Sequence, residues 1–562
     1  MNEPISGRRW RYAIGVLAVG LLLFAFLGYL RRYVPRWTPV PIRPLVVSAE
    51  LRTVDRLPAT PGALRGYNLV LVTFDTTRPD RLGCYGNQSG TSPNLDRLAR
   101  EGTIFTGATA TTSTTLPTHA SILTGLYPQR HGARANSVYR LERKHVTLAE
   151  ILSRAGYETG AFVSAFVLNE RFGLAQGFDE YDDRVASFTT GFGGFAERKA
   201  DKTSDLAIRW LARQESDPYF MWVHYYDPHA MQNPPSPYRE AHRFLYDAEI
   251  AFADHELGRV LEAVESDEKR ETLVVFVADH GEGFGEHGEW SHGYLVQEAT
   301  LRVPLIIYAT DGLERGIHVD TRVSQVDLMP TILSLLGVEV PSDLDGVSLM
   351  RAPESDRAVL AEAVEGRAQY GWARLAALYK NSLKYVAGPT PELYDLALDP
   401  LEREDVAADR SAEAQTMREL LAAMEKSDAD RLEAASVELD AADISRLRAL
   451  GYAAGDGVAA VEVAVGPDPK AMVAVMVRMQ QLLNVYQRAP KQSVWIRVLQ
   501  PILGGMVVDG RDDLIRQLEQ LASDHPDFAP VHEILAEFYD EDLRSDDAMR
   551  ARASFYALTG RK

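Results

Sequence analysis

Asp75, Asp279 and His280 are side chains that can bind a divalent cation. They lie far apart in the chain, yet each follows a short, almost wholly apolar run. Two carboxylates with an imidazole suit zinc or manganese better than calcium, which prefers an all-oxygen shell. Taken singly, each reads better as an ordinary cap on the helix after its strand. Asp279-His280, however, opens a loop that continues through Gly281, Glu282, His287 and His292, and packing alone does not explain so many glycines and histidines after a buried strand. The second chemical run is Thr114, Thr115, Pro117, Thr118 and His119. A hydroxyl at the start of a helix faces the positive end of its dipole, where an anion is stabilised. A threonine hydroxyl becomes a useful nucleophile only when a metal or base lowers its pKa.

The elements that must position these groups are legible from residue 67 onward. Apolar runs predict buried strands over Asn68–Phe74, Thr159–Phe166, Tyr219–His224, Thr272–Ala278 and Val303–Tyr308. Helical patterns lie between them: Thr147 and Glu150 form a capping box ahead of one helix, and Tyr246–Val264 has amphipathic spacing. Such alternation predicts an α/β fold with a mostly parallel sheet flanked by helices. In these sheets ligands bind outside the carboxyl ends of the strands. Asp75 follows the first predicted strand, Asp227 and His229 the third, and Asp279-His280 the fourth.

Composition restricts the alternatives. The 562 residues carry 60 Lys+Arg against 79 Asp+Glu, a formal net charge of -19, which argues against a nucleic-acid partner. With one cysteine, Cys84, the chain has neither an internal disulfide framework nor a cysteine-rich zinc module. One segment departs from the globular average: Tyr12 to Leu30 has no charged residue and, as a helix, would be close to 30 Å long. It predicts a single-pass membrane anchor, with a cleaved signal peptide as the rival reading. The proline-punctuated stretch that follows suits a spacer.

The motifs in order resemble the sulfatase family of the alkaline phosphatase superfamily. The stretch from Asp75 through Arg78, Asp80, Cys84 and Gly86 resembles that family's first metal motif. Leu116-Pro117 to Thr124-Gly125 matches its active-site signature, and Tyr127-Pro128 to His131-Gly132 the continuation. Asp227-Pro228-His229 resembles a substrate-contacting segment. Asp279 to Leu305 resembles the second metal motif, and Asp327 to Thr331 and Glu392 to Asp395 resemble late landmarks. The resemblance implies a small C-terminal antiparallel sheet after the main one. It also implies a divalent metal, an anionic ester substrate and a catalytic domain on the periplasmic or extracytoplasmic side.

The departures bear on the chemistry. Sulfatases convert a cysteine or serine, two residues before the motif proline, to formylglycine; that position is Thr115, which cannot become the aldehyde. His119 replaces the usual arginine, Thr76 stands where many sulfatases have a second metal-binding aspartate, and His292 replaces a lysine. These changes resemble the superfamily's threonine-nucleophile phosphoester enzymes. Carried over, the metal set is Asp75, Thr115, Asp279 and His280. Thr115, His229 and His292 form the catalytic set, and His119, Asn136, Asp227 and His287 contact substrate. One ion is favoured; Asp227, His229 and His292 are the alternative set for a second.

The expected organisation is an anchor over 1–36, a linker over 37–66, a catalytic domain over 67–400, an acidic helical connector over 401–466 and a helical, tetratricopeptide-like domain over 467–562 that could bind a protein partner. Two other functions stand beside the phosphoester enzyme: a sulfuric ester hydrolase working without formylglycine, and a catalytically silent domain carrying a partner-binding module. Cys84 reads as a structural thiol.

Overall fold

The computed structural model describes residues 45–429 except 49, 137–138, 186–196, 216, 231, 268 and 353–356. It also describes 435–437, 443, 447, 466–488 and 510–559 except 543. The main sheet has nine strands: β1 (Arg52–Val54), β2 (Asn68–Phe74), β3 (Thr103–Thr109), β4 (Glu158–Phe162), β5 (Glu180–Asp182), β6 (Tyr219–Tyr225), β7 (Thr272–Ala278), β8 (Leu305–Ala309) and β9 (Ile317–Ser324). Their spatial order is β1-β9-β3-β8-β7-β2-β6-β4-β5. All neighbours are parallel except β8, which runs antiparallel to β3 and β7.

The central strands are apolar on both faces because both are covered. Successive side chains alternate sides, so Leu69 and Leu71 of β2 join one core while Val70, Val72 and Phe74 join the other. The second of these cores also takes Leu95 and Leu98 of α1 (Pro93–Glu101), and the first takes Leu116 and Ala120 of α2 (Thr115–Thr124) and Leu148 and Leu152 of α3 (Leu148–Arg154). Ala207 of α4 (Ala200–Leu211) and Leu257 of α5 (Leu245–Glu265) pack beside α1, and Ile332 of α6 (Leu328–Leu336) beside α2. Helix α3 begins on the expected capping box: the Glu150 amide donates to Thr147 Oγ1 at 3.2 Å, and the Thr147 amide to Glu150 Oε2 at 3.0 Å.

A four-stranded antiparallel meander follows, β10 (Val359–Ala363), β11 (Leu375–Lys380), β12 (Leu383–Ala387) and β13 (Glu392–Asp395). Among the described residues after it lie the helices α7 (Ser411–Ala429), α8 (Pro469–Arg488), α9 (Gly510–Asp524), α10 (Ala529–Glu541) and α11 (Ser545–Thr559), and a short strand, Ala435–Ser436, paired antiparallel with Tyr139–Arg140. In α9 and α10, Leu514, Leu518, Leu521, Val531 and Leu535 are buried.

Some expectations shift. The strand expected over Val303–Tyr308 starts at Leu305, after Pro304, which has no amide to give a ladder. The strand expected to Phe166 ends at Phe162. The sequence reading passed over β1, β3, β5 and β9. Their apolar character is diluted; β9, for instance, is IHVDTRVS, with an irregularity between Val319 and Arg322. The membrane assignment is corrected. Tyr12–Leu30 lies outside the described residues, and among the described residues no helix is long and apolar enough to cross a membrane. The single-pass localisation is not carried further.

Candidate active site

The sheet's register brings the first two carboxylates together. Phe74 pairs with Ala278, so Asp75 and Asp279 leave adjacent parallel strands at the same level, and the Asp279 amide donates to the Phe74 carbonyl at 3.2 Å. The turn is fixed by one of these carboxylates: Thr76 has φ 50°, an uncommon value for a β-branched residue, and its amide donates to Asp279 Oδ1 at 3.0 Å. Arg78 ties the two loops beneath, donating twice to Asp80 at 2.9 Å and bonding the Glu282 carbonyl at 3.1 Å and Glu286 at 3.0 Å.

Helix α2 delivers Thr115 as its first residue, fully buried. Its Oγ1 lies 3.4 Å from Asp75 Oδ2 and 3.3 Å from His280 Nε2. The tautomer of His280 follows from its other nitrogen. Nδ1 is 2.9 Å from the Gly281 carbonyl, which can only accept, so Nδ1 carries the proton and Nε2 presents a lone pair to Thr115. A histidine held by a carbonyl in this way is the usual arrangement at metal sites.

Asp75, Asp279 and His280 place donor atoms within 4.8 Å of one another, all buried. Asp75 Oδ1 and Asp279 Oδ2 have no hydrogen-bond partner, a costly state for buried carboxylates that a cation would relieve. Burial, and then the neighbouring Asp279 and Glu282, push the Asp75 carboxyl well up; burial pushes Asp279 up to about 7. The donor set therefore fits a divalent cation.

The histidines divide by hydrogen bonding. His119 was expected at substrate, but both its nitrogens face protein: Nδ1 donates to the Thr115 carbonyl at 2.8 Å and Nε2 accepts from Thr73 Oγ1 at 3.0 Å. Burial lowers its pKa to about 4, so it pins α2 as a neutral ring. His229 donates Nδ1–H to the Ala230 carbonyl at 2.5 Å, stacks on Tyr226, and leaves Nε2 without a partner, its pKa lowered to about 3 by burial. His292 is its complement. Burial opposes its charge, but Glu282 at 3.0 Å outweighs that and raises its pKa. The His292 ring lies 4.5 Å from that of His280 and 5.0 Å from that of His229, centre to centre.

Three expected site residues are placed otherwise. Asn136 accepts from the Leu116 amide at 2.8 Å, capping α2 rather than opening to the cleft, and its own amide donates to Glu365 at 2.9 Å. Asp227 accepts from the Ala200 amide at the start of α4 at 3.2 Å, although its Oδ2 has no partner. His287 is exposed on the loop, 3.3 Å from the Leu401 carbonyl, and is not brought to the cluster. Cys84 is half-buried, its amide on Asp96 at 2.6 Å and its thiol pushed up by burial.

The sequence reading missed His224, which it took only as the end of a strand. Its Nδ1 accepts from the Ser164 amide at 3.3 Å, so the proton sits on Nε2, 3.4 Å from Asp75 Oδ2. A histidine inside the run YFMWVHY was the available signal. His119, His224 and Asp279 form a second convergent group. With His119 Nδ1 committed to the Thr115 carbonyl, that group fits a cation less well, and Asp227, His229 and His292 are not among the convergent sets for the described residues. His224→Phe is expected to weaken metal binding by about 10–100-fold by removing the imidazole that lies beside Asp75. Competition against a coloured chelator measures this, and an unchanged affinity would remove His224 from the site.

The chain matches the family model described as Sulfatase over residues 67–338 and that of N-sulphoglucosamine sulphohydrolase, C-terminal, over residues 285–430. It is 25% identical over 419 residues to an uncharacterized sulfatase, YidJ, of Escherichia coli, covering 61% of this chain and 83% of that protein. It is 24% identical over 394 residues to an arylsulfatase of Clostridium perfringens, covering 54% and 82%. The fold is similar to that of the phosphonate monoester hydrolase of Agrobacterium radiobacter, with a TM-score of 0.55 at 23% identity, over 64% of this chain and 96% of that one.

Proposed function

Since the chain belongs to the sulfatase family of the alkaline phosphatase superfamily, whose members hydrolyse ester bonds with a divalent metal, we propose that it is a phosphoester hydrolase or phosphotransferase with Thr115 as nucleophile. The observation that carries this reading is the placing of Thr115 Oγ1 between Asp75 and His280 Nε2, beside two carboxylate oxygens without partners.

Asp75, Asp279 and His280 would hold the metal, zinc or manganese by their mixed oxygen and nitrogen donors, with Thr115 beside it. When bound, the metal supplies Lewis acidity that lowers the pKa of a neighbouring hydroxyl and offsets charge on the ester oxygens. Thr115 attacks phosphorus in line. Its Oγ–P bond forms as the bond to the leaving oxygen breaks, and its proton passes to Asp75 Oδ2, 3.4 Å away. His292, whose proton affinity is raised by Glu282 against the effect of burial, is the group suited to give a proton to the departing oxygen. His229 Nε2, an unpartnered lone pair, can hold the water or alcohol that releases phosphothreonine by accepting its hydrogen bond, and the proton passes to His292, neutral after the first step.

Attack at phosphorus restores Thr115 by a second displacement. A sulfated threonine lacks the aldehyde hydrate that lets formylglycine expel sulfate by breaking a C–O bond, which is why a phosphoester is preferred here. The sulfuric ester reading draws its support from the relatives, most of which are sulfatases by name. Aryl phosphate mono- and diesters and aryl sulfates, offered to the zinc- or manganese-loaded protein, separate the two. Phosphate or alcohol release without sulfate release is the expected result; sulfate release alone would replace it with the sulfatase reading, and no turnover at all would leave the silent domain.

A further inference from the structure

Well away from Thr115, a cavity of about 280 Å³ lies between β9 of the main sheet and β11 of the small one. Three strands separate β9 from β2. Phe105, Val319 and Leu349 line its apolar inner wall, and four guanidinium groups line it as well, those of Arg56, Arg322, Arg351 and Arg357. Asp55 is the one carboxylate in the lining.

The four arginines are not equally engaged. Arg357 is committed to the buried Asp327, donating to Oδ2 at 2.9 Å. Arg322 lies over the Tyr379 ring at 4.3 Å and donates to Thr109 Oγ1 at 2.8 Å. Its nearest carboxylate, Glu298, is 3.7 Å away and is shared with Lys384 at 3.4 Å. Arg56 and Arg351 are exposed and make no ion pair among the described residues. Among the described residues, positive charge at this cavity therefore exceeds what carboxylates neutralise, and it borders a wall of buried hydrocarbon. Pockets with an apolar interior and a few placed polar groups bind small organic molecules, and the planar fork of arginine matches carboxylate, sulfonate or phosphate oxygens.

We propose that this cavity binds a small organic anion, its apolar body against Phe105, Val319 and Leu349 and its anionic head between Arg56, Arg351 and Arg322. The site is independent of the active-site chemistry, sharing no residue with it.

Anilinonaphthalene sulfonate, which has both parts, is a suitable probe of the full chain, followed by fluorescence. Saturable binding is expected, weakened about tenfold or more in the Arg56→Ala/Arg351→Ala double variant, and largely kept when both become lysine. Both positions are exposed, so the fold is retained, and unchanged circular dichroism and melting temperature verify it. Toluenesulfonate is expected to displace the dye at concentrations where inorganic sulfate does not. Equal dye affinity in the double alanine variant, or equal displacement by sulfate and toluenesulfonate, would overturn the proposal, as would the absence of saturable binding.

Discussion

Thr115→Ala is expected to lower turnover of the metal-loaded protein by about a thousandfold or more, with Thr115→Ser retaining activity within roughly tenfold. The size follows from the hydroxyl's position. It lies within hydrogen-bonding distance of both Asp75 and His280, and it begins a helix, where the dipole favours the charge that develops as its proton leaves. Alanine removes that oxygen and leaves the carboxylates and His280 in place. The metal set then survives apart from Thr115, so activity and metal content separate: activity falls steeply while Asp75, Asp279 and His280 still bind. Serine restores an oxygen without the methyl group, at some loss of rotamer restriction. Retention of phosphoesterase activity in the alanine variant would mean that His280 Nε2 activates water directly, and the covalent route would be abandoned. Trapping phosphothreonine in a rapid-quench experiment checks the same step independently.

Removing the metal is expected to abolish turnover, and the pH dependence of its return identifies the ligands. Both site carboxyls have pKa values raised by burial, Asp279 to about 7. Without a metal, the folded protein therefore binds more protons there than the unfolded chain over the range from the ordinary carboxyl value up to about pH 7. The sign is fixed by that difference: stability from these groups is present at low pH and is lost as pH rises through the folded pKa. Buried histidines oppose this below about pH 6.5, where the unfolded chain takes up protons that neutral His119 and His229 refuse; above that value they add nothing further. A metal competes with the carboxyl protons, so its apparent affinity should rise about tenfold per pH unit for each proton displaced, the Asp279 contribution levelling near pH 7. The melting-temperature difference between loaded and chelated protein should widen over the same range. Affinity independent of pH between about 5.5 and 7 would show that Asp75 and Asp279 are not the ligands.

Much of this site was legible before its geometry, because motif residues lie at strand ends and strand ends converge in a parallel sheet. Asp75, Thr115, Asp279 and His280 were all identifiable, since each sits beside an apolar run or at a helix start. What escaped detection was residues whose role depends on a neighbour distant in sequence. His224 looks like any polar residue in a buried strand until the β2–β6 register, which pairs Thr73 with His224, puts its ring beside Asp75. Asn136 carries no local sign that it will cap α2. The edge strand β1 and its neighbour β9 were hidden for a related reason: partly exposed, they need no unbroken apolar run.

Residue order and type alone determined the chemistry on offer: a threonine where formylglycine would need cysteine or serine, carboxylates and a histidine after buried strands, and a single cysteine at position 84. Tertiary structure decided which groups remain available for that chemistry. A histidine's capacity to act depends on which nitrogen is already bonded, and only the folded chain sets that. His119 is spent on Thr115 and Thr73, while His280 is left with a lone pair facing the hydroxyl. His229 and His292 share one burial environment, yet Glu282 gives them opposite proton affinities. Local pattern supplies the candidate groups; the packing of distant strands removes their water and assigns their partners, and in a low-dielectric interior those partners determine charge.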